Sequence, residues 1–117
     1  MHKVLIAIGS NHRQPVHIQW AAGRFKTLLN GLRSSRVIWT KDIHGTGKLY
    51  MNQLITGKTE LSIEELSLQL KEIEAEVHRT KELVTIDLDL MQYDNQRYHL
   101  SDWPRPYIQQ LLDDITG

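Results

Sequence analysis

The sequence contains no cysteine and is poor in proline, phenylalanine and long apolar runs. Without cysteine, neither a disulfide framework nor a thiolate zinc site can form. Fourteen basic residues balance fourteen acidic ones, and a net charge of zero argues against broad, sequence-independent binding to nucleic acid. The apolar run near the N-terminus, residues 4–8, is too short for a signal-peptide core or a membrane span. We therefore expect a cytoplasmic protein that binds neither nucleic acid nor a membrane.

The remaining composition is that of an ordinary globular protein. Of 117 residues, 40% are hydrophobic and 24% are charged, so the chain has neither the charge excess nor the apolar poverty of a disordered segment. A chain of this length can bury one core but not two. No repeat, low-complexity tract or linker divides the sequence, and we predict a single domain over residues 1–117.

The N-terminal part predicts a buried strand followed by a helix. The apolar run at residues 4–8 is closed by Gly9 and is typical of a central strand that is covered on both faces. A helix is expected to begin near Pro15 and to end at Gly31, because one apolar stripe recurs at helical spacing between them. The stripe consists of Ile18, Ala21, Ala22, Phe25, Leu28, Leu29 and Leu32.

The rest of the chain predicts a hairpin, a second helix, a third strand and a last helix. Residues 36–40 and 49–56 are rich in β-forming side chains and are expected to pair as a hairpin. The S-I-E-E sequence at residues 62–65 matches the capping box that begins many helices. Residues 83–91 alternate strictly between apolar and polar, as a half-buried strand does. After the rigid W-P-R-P at residues 103–106, apolar residues at helical spacing predict a short C-terminal helix.

The order of these segments is βαββαβ followed by a tail. This order predicts an α+β fold of the ferredoxin-like kind, with an antiparallel sheet, both helices on one face and a short C-terminal helix added. The opposite face of the sheet would then be free for ligands.

The polar face of the third strand carries the two residues with the clearest chemistry, Asp87 and Asp89. Two carboxylates at positions i and i+2 of a strand lie roughly 6.5 to 7 Å apart along the backbone, so their oxygens can converge on a hard cation. Magnesium is commonly held by one or two carboxylates together with substrate phosphates. The alternative is a solvated strand face without a ligand, and the spacing alone does not decide between the two.

Several stretches of the sequence resemble the 6-hydroxymethyl-7,8-dihydropterin pyrophosphokinase family. The T-I-D-L-D-L-M of residues 85–91 is similar to the T-L-D-L-D-I-M segment that marks this family. The I-A-I-G-S-N of residues 6–11 resembles its first strand and G-S-N turn, and Y-M-N at residues 50–52 resembles its Y-x-N strand. With residues 62–74, similar to its second helix, the resemblance covers most of residues 3–100 of a shortened and divergent member.

The resemblance implies a Mg²⁺-dependent transfer of pyrophosphate from ATP to the hydroxymethyl group of a dihydropterin, a step of folate biosynthesis. It implies that Asp87 and Asp89 hold the magnesium ions that bridge the ATP phosphates. It also implies that Asn52 hydrogen-bonds the edge of the pterin and that Tyr50 helps to wall the pterin pocket. Tyr50 and Asn52 share one face of their predicted strand, as residues that bind one ligand must.

Three cations receive roles from the same resemblance. Arg79 and Lys81 stand where the mobile loop of the family begins with G-R-x-R, which implies that both contact phosphate during catalysis. For this pair, a solvated basic helix end is the alternative interpretation. Pro104-Arg105 stands where the family has P-H, and Arg105 is therefore assigned, with Arg79, to nucleotide binding.

Other positions depart from the family pattern. Only residues 82–84 remain where the family carries a longer loop with a W-G-P-R element, and its downstream R-x-F, a phosphate cation and a stacking aromatic, has no convincing match in residues 108–113. Trp39 or Trp103 could supply a substitute aromatic face, although tryptophan more often packs in a core or at its rim. The departures leave two alternatives open: a catalytically degenerate module that binds a nucleotide or a pterin, and a structural interaction domain that uses an exposed sheet edge.

Overall fold

A computed structural model of the chain describes residues 1–11, 15–41, 49–80 and 86–116, and it describes side chains outside 15–21 and 77–80. In chain order the elements are β1 (His2–Ser10), α1 (Pro15–Leu28), β2 (Asn30–Ser34), β3 (Ile38–Lys41), β4 (Leu49–Thr59), α2 (Ile63–Thr80), β5 (Ile86–Tyr93), β6 (Gln96–Arg97) and α3 (Pro106–Thr116). Within the described residues, the strands form one sheet in the order β2-β4-β1-β5-β6, and β3 also pairs with β4.

The sheet is antiparallel throughout its described pairings, and β1 lies at its centre between β4 and β5. This confirms the predicted α+β fold and the predicted hairpin, which is the pairing of β3 with β4. The apolar run of β1 explains its central place, because Val4 and Ile6 face one core while Leu5 faces another. A strand that is covered on both faces cannot alternate polar and apolar residues.

The end of the first helix differs from the prediction. Helix α1 ends at Leu28 rather than at Gly31, and Leu32, the last member of the apolar stripe, lies in strand β2. Gly31 has a φ of 62°, in the left-handed region that glycine tolerates, and it opens the strand instead of closing the helix. Leu32 still packs against the same core as Leu29. The helical spacing of apolar residues therefore extends to Leu32, although the backbone at Leu32 is that of a strand.

The edge of the sheet beside β4 is formed by two strands, β2 and β3, with the buried Ser35 between them. The predicted strand at residues 36–40 corresponds to β3, whereas β2 was not predicted. The hydroxyl of Ser35 accepts a hydrogen bond of 2.8 Å from the Leu54 N–H, and the Ser35 N–H donates to the Leu54 carbonyl at 2.9 Å. The side chain thus replaces one backbone partner of β4, so the edge of the sheet continues without a regular ladder at this point.

Helix α2 begins at the predicted capping box. The Ser62 hydroxyl accepts a hydrogen bond of 3.1 Å from the Glu65 N–H, and the Ser62 N–H donates to the Glu65 carboxylate at 3.3 Å. The two bonds satisfy donors that the first turn of a helix otherwise leaves unpaired. Farther along α2, Glu76 accepts a hydrogen bond of 2.9 Å from the Arg24 guanidinium, which joins α2 to α1.

Two hydrophobic cores lie on opposite faces of the sheet. Helices α1 and α2 cover one face, and their core includes Phe25, Leu66 and Ile73, each fully buried. Helix α3 packs on the other face; its buried residues are Ile108, Leu111 and Ile115, and the strands contribute Leu5, Leu54 and Met91. The expectation that the second face is free was therefore wrong where α3 covers it, because the apolar stripe of the predicted C-terminal helix is buried there.

Candidate active site

Asp87 and Asp89 lie on the face of the sheet that carries α3, in the part that α3 leaves uncovered. On strand β5, Ile86 and Leu88 are buried in the core under α1 and α2, whereas the two aspartates point away from it. This confirms the predicted alternation for the described part of the strand; residues 83–85, where the strand was predicted to begin, lie outside the described residues. The carboxylates are therefore placed by the period of two that burial imposes on a strand.

The register of the three central strands puts Asp87 in one row with Asn52. Gly9 of β1 pairs with Asp87 on one side and with Asn52 of β4 on the other. One step along the strands, Ala7 pairs with Asp89 and with Leu54. An amide and a carboxylate thus face each other across a residue that has no side chain.

These residues form the floor of a groove of about 500 Å³, which we name the carboxylate groove. A Cβ built on Gly9 would meet no described atom within 4 Å, so the space above the floor is open. Helix α3 forms one wall and strand β3 contributes to the other. The polar and aromatic residues that line the groove are Thr40, Lys41, Tyr50, Asn52, Gln53, Asp87, Asp89, Asp102, Arg105 and Tyr107.

Negative charge is concentrated at Asp89, whose side chain is 46% exposed. Partial burial raises the pKa of this carboxyl above its usual 3.8, and the neighbouring charges of Asp87 and Asp102 raise it further, against the opposing effect of His99. The His99 Nε2 lies 3.9 Å from the Asp89 carboxylate, which is too far for a hydrogen bond. The floor of the groove therefore disfavours any further negative charge and favours a bound cation.

If two carboxylates bound a cation, most of its coordination positions would have to be filled by other ligands. Among the described residues, no group of three or more histidine, aspartate or glutamate side chains is arranged to hold a metal ion. Asp87 and Asp89 nevertheless fit magnesium, which takes oxygen ligands and commonly keeps water and phosphate oxygens in its coordination shell. Zinc fits poorly, because its sites require nitrogen or sulfur ligands that do not converge here.

Asn52 is held in a fixed orientation by its own amide group. Its Nδ2 donates to the Thr40 hydroxyl at 2.9 Å and to the Tyr50 carbonyl at 3.1 Å, with a longer contact of 3.3 Å to the Ile38 carbonyl. The side-chain oxygen of Asn52 makes no hydrogen bond with any residue that the structure describes. That oxygen is thus an oriented acceptor in the groove, and Tyr50 lies beside it as predicted.

The beginning of α3 brings two further side chains to the groove, Arg105 and Tyr107. The Arg105 Nε donates to the Asp102 carboxylate at 3.0 Å, which fixes the guanidinium at the rim. Partial burial raises the pKa of the Tyr107 hydroxyl, so this side chain stays neutral and presents an aromatic face. Arg105 lies where a nucleotide contact was predicted, whereas sequence reasoning missed Tyr107.

A signal for Tyr107 was present in the sequence. Arg105, Pro106 and Tyr107 repeat the order of a cation, any residue and an aromatic, which is the R-x-F pattern that was sought only in residues 108–113. Lys41 also lines the groove, although no role was predicted for it from the sequence. Both residues reach the groove through packing between distant segments, which residue spacing does not reveal.

The structure does not bring every predicted residue to the groove. Trp39 pairs with Met51, a residue of the core under α1 and α2, and therefore lies on the other face of the sheet. Trp103 is buried under α3, where its Nε1 donates to the Tyr98 carbonyl at 2.9 Å. Neither tryptophan replaces the stacking aromatic. Arg79 lies in the last turn of α2 with its side chain outside the described part, and Lys81 lies outside the described residues altogether.

Fold and groove together define an α+β protein of the split βαβ class, with a polar groove beside a C-terminal helix. The chain belongs to the 7,8-dihydro-6-hydroxymethylpterin-pyrophosphokinase (HPPK) family, whose family model matches residues 5–115. The resemblance of the sequence motifs is thereby confirmed, and the chain is a member of a family of pterin pyrophosphokinases that act in folate biosynthesis. In the described part of the chain, no helix is both long and apolar enough to cross a membrane.

Two further comparisons add no functional information. No curated protein matches the sequence. Among solved structures, the chain is similar to a protein titled "De novo designed protein Foldit4", with 13% identity, coverage of 83% of this chain and 100% of that chain, and a TM-score of 0.48.

Proposed function

We propose that this protein catalyses the Mg²⁺-dependent transfer of pyrophosphate from ATP to the hydroxymethyl group of 6-hydroxymethyl-7,8-dihydropterin. The observation that carries the proposal is the row formed by Asn52, Gly9 and Asp87, in which an amide and a carboxylate share one open groove. Membership in the family supports the reaction, and the groove is where we propose that the substrates bind.

Asp87 and Asp89 would hold the magnesium, which when bound neutralises the charge of the ATP phosphates. The raised pKa of Asp89 supports this assignment, because its carboxyl is partly removed from water and is also repelled by the charges of Asp87 and Asp102. A cation between Asp87 and Asp89 would relieve that repulsion. The residues of the chain would thus contribute mainly by positioning the phosphates and stabilising their charge.

The heterocycle would lie between the two tyrosines of the groove. Its N–H groups would donate to the Asn52 side-chain oxygen, which the Thr40 hydroxyl and the Tyr50 carbonyl hold in place through the Asn52 Nδ2. Tyr50 and Tyr107 would provide flat apolar faces against the ring. In this arrangement Tyr107 takes the part of the aromatic that residues 108–113 lack.

The phosphate chain would extend toward the cations at the rim. Arg105 and Lys41 line the groove. The resemblance to the family adds Arg79 and Lys81 to the proposed set of cations. In the reaction, the hydroxymethyl oxygen forms a bond to the β-phosphorus of ATP and loses its proton to solvent, the bond from that phosphorus to the α-β bridging oxygen breaks, and AMP leaves with that oxygen. The cations stabilise the negative charge that shifts to the leaving phosphate.

An assay of AMP formation from ATP and 6-hydroxymethyl-7,8-dihydropterin tests the proposal, together with calorimetric titration of Mg-ATP. We expect wild-type protein to form AMP, and Asp87→Asn or Asp89→Asn to lower kcat/KM by at least about a hundredfold, as loss of a charge-stabilising group does. Glu72→Gln, on the exposed face of α2, removes a carboxylate from the other side of the sheet and should leave both readouts unchanged.

The second candidate function is a degenerate module that binds a nucleotide or a pterin without turnover. It is favoured by the short connection between α2 and β5, since only residues 82–84 stand where the family has a longer loop. A loop that closes over ATP excludes water and completes the set of cations, so its reduction lowers the rate before it lowers binding. Mg-ATP binding that requires Asp87, without AMP formation, would identify this module and refute catalysis.

A further inference from the structure

The face of the sheet that carries the carboxylate groove also carries a second groove, on the other side of α3. Its volume is about 800 Å³, and we name it the basic groove. The beginning of α3 lines the carboxylate groove, whereas its last turns, ending at Thr116, line the basic groove. The floor of the basic groove carries Lys3 of β1, Lys58 of β4 and Arg33 of β2. These three cations come from three neighbouring strands, in a protein with no net charge.

Strand register brings the three cations close together. Lys3 and Lys58 are directly opposite each other across β1 and β4, and Arg33 is opposite Thr56, two residues before Lys58. Directly opposite residues have Cβ atoms about 4.5 to 5.5 Å apart, and diagonal ones about 7 to 8 Å apart. All three side chains are exposed and long enough to converge on one anionic group. Like charges placed directly opposite each other destabilise a sheet, so the pair gains from an anion between its ammonium groups.

The protein offers little compensation for these charges. Neither lysine nor Arg33 makes an ion pair with any described residue. Asp94 lines the groove, but its carboxylate accepts a hydrogen bond of 3.0 Å from the Lys3 backbone N–H and contacts the His2 Nδ1 at 2.7 Å. Its oxygens are therefore occupied by groups other than the ammonium groups of the floor.

The walls limit where an anion can lie. Helix α3 presents Leu112 and Ile115 together with Asp113, and the negative end of its dipole is at this end of the helix. At the opposite end of the groove, the Arg97 guanidinium lies 4.1 Å above the ring of Trp103. An anion is therefore favoured against the strands and disfavoured against the helix.

We propose that the basic groove binds a compound with two or more adjacent phosphate groups, and that it does so without a metal ion. Lys3 and Lys58 act as point charges on one phosphate, and Arg33 donates two parallel hydrogen bonds to the next. The phosphates belong to an inorganic oligophosphate or to a nucleotide, which present the same chemistry to these cations. This site is independent of the carboxylate groove, where phosphate binding requires a metal ion to overcome the charge of Asp87 and Asp89.

The test is a calorimetric titration with tripolyphosphate in excess EDTA, which prevents metal-dependent binding in the carboxylate groove. We expect wild-type protein to bind and Lys3→Gln/Lys58→Gln to weaken binding by at least about tenfold, the loss of one strong charge-assisted contact or more. Lys71→Gln, on the exposed face of α2, is the matched control and should bind as wild type does. Repeating the titration with ATP identifies the source, since tighter binding of ATP indicates a nucleotide and equal binding indicates recognition of the phosphate chain alone.

Thermal unfolding provides a second readout that also reports folding. Tripolyphosphate should raise the Tm of wild-type protein and leave that of the double variant unchanged, while the double variant alone unfolds at no lower temperature than wild type because a repulsive pair is removed. Lys58→Arg, which keeps the charge, should retain binding. No binding by wild-type protein, equal binding by the double variant, or an equal loss in Lys71→Gln would overturn the proposal.

Discussion

At the scale of single residues, the aspartates of the carboxylate groove repel one another, which favours a bound cation but does not stabilise the fold. Asp89 shares its surroundings with Asp87 and Asp102, and the pKa of its carboxyl is raised mainly by partial burial. Most stabilising substitutions are found away from sites that function constrains, because such sites keep unfavourable local interactions. We propose that Asp89 is a residue of this kind. Its alternating position was visible in the sequence, whereas its proximity to Asp102 was not.

Two glycines of the central strands differ in what surrounds them, which gives a matched pair of substitutions. A Cβ on Gly57 would lie 3.0 Å from the Leu29 Cβ and 3.1 Å from the Asn30 carbonyl oxygen, where α1 passes into β2. Gly57→Ala should therefore lower the free energy of unfolding by about 1 to 3 kcal/mol, as overpacking does. A Cβ on Gly9 meets no described atom within 4 Å, so Gly9→Ala should change that free energy by less than about 0.5 kcal/mol.

Urea unfolding of the two glycine variants measures this difference. Gly9→Ala adds a methyl group to the floor of the carboxylate groove, so it should weaken binding of the proposed pterin substrate while the fold persists. Equal destabilisation by Gly57→Ala and Gly9→Ala would contradict the assignment of Gly57 to packing and Gly9 to the groove.

At the scale of elements, local signals were enough to predict where helices begin but not always where they end. The capping box at Ser62 and Glu65 was predicted and forms, because its two hydrogen bonds involve residues three apart in sequence. The predicted end of α1 was wrong. Leu32 packs against the core from strand β2, and the same contact would be expected of a residue in a continued helix. Burial is imposed by the tertiary structure, and the spacing of apolar residues records burial rather than backbone geometry.

Helix α3 permits a test of the second core. Leu111 is fully buried between α3 and the sheet, and its neighbour Leu112 is only partly buried at the edge of the same core. Leu111→Ala should lower the free energy of unfolding by about 2 to 5 kcal/mol, the cost of removing a buried leucine side chain and leaving a cavity. Leu112→Ala should cost clearly less.

Denaturant unfolding followed by circular dichroism checks the comparison of the two leucines. If α3 did not pack on the sheet, both variants would show the same small loss. The result bears on function as well, since α3 carries Arg105 and Tyr107 at its beginning.

At the scale of the whole molecule, the beginning of β1 is joined to the turn after the neighbouring strand β5 by one carboxylate. Asp94 lies in the turn between β5 and β6 with a φ of 52°, a conformation that asparagine and aspartate tolerate better than most residues. Its carboxylate contacts the His2 Nδ1 at 2.7 Å, and the His2 ring stacks on Tyr93 with centroids 4.8 Å apart. The contact joins residues that are 92 positions apart in sequence.

The same carboxylate predicts a pH dependence of stability. The hydrogen bond with His2, followed by that from the Lys3 N–H, lowers the pKa of the Asp94 carboxyl below its usual 3.8 in the folded protein. Since the unfolded chain binds this proton more readily, the carboxylate adds stability above pH 3.8, and the contribution is lost as the pH falls through the lower folded value.

Urea unfolding of wild-type protein and Asp94→Asn between about pH 2 and 6 tests this linkage. The variant should be less stable than wild type near pH 6, and the difference should shrink as the pH falls below 3.8. A difference that stays constant over this range would show that the charge of Asp94 has no part in it.

The sequence by itself determined the features that depend on neighbours along the chain. These are the central apolar strand, the capping box, the face on which Asp87 and Asp89 lie, and the amphipathic C-terminal helix, all of which follow from short periods of burial or from bonds between nearby residues. Tertiary structure decided the rest. Only the pairing of β1 with β4 and β5 sets Asn52 opposite Asp87 across Gly9, and only the packing of α3 brings Tyr107 to one groove while its other end closes a second. Contacts between distant segments depend on how complete elements fill a shared core, and no local pattern of residues encodes that arrangement.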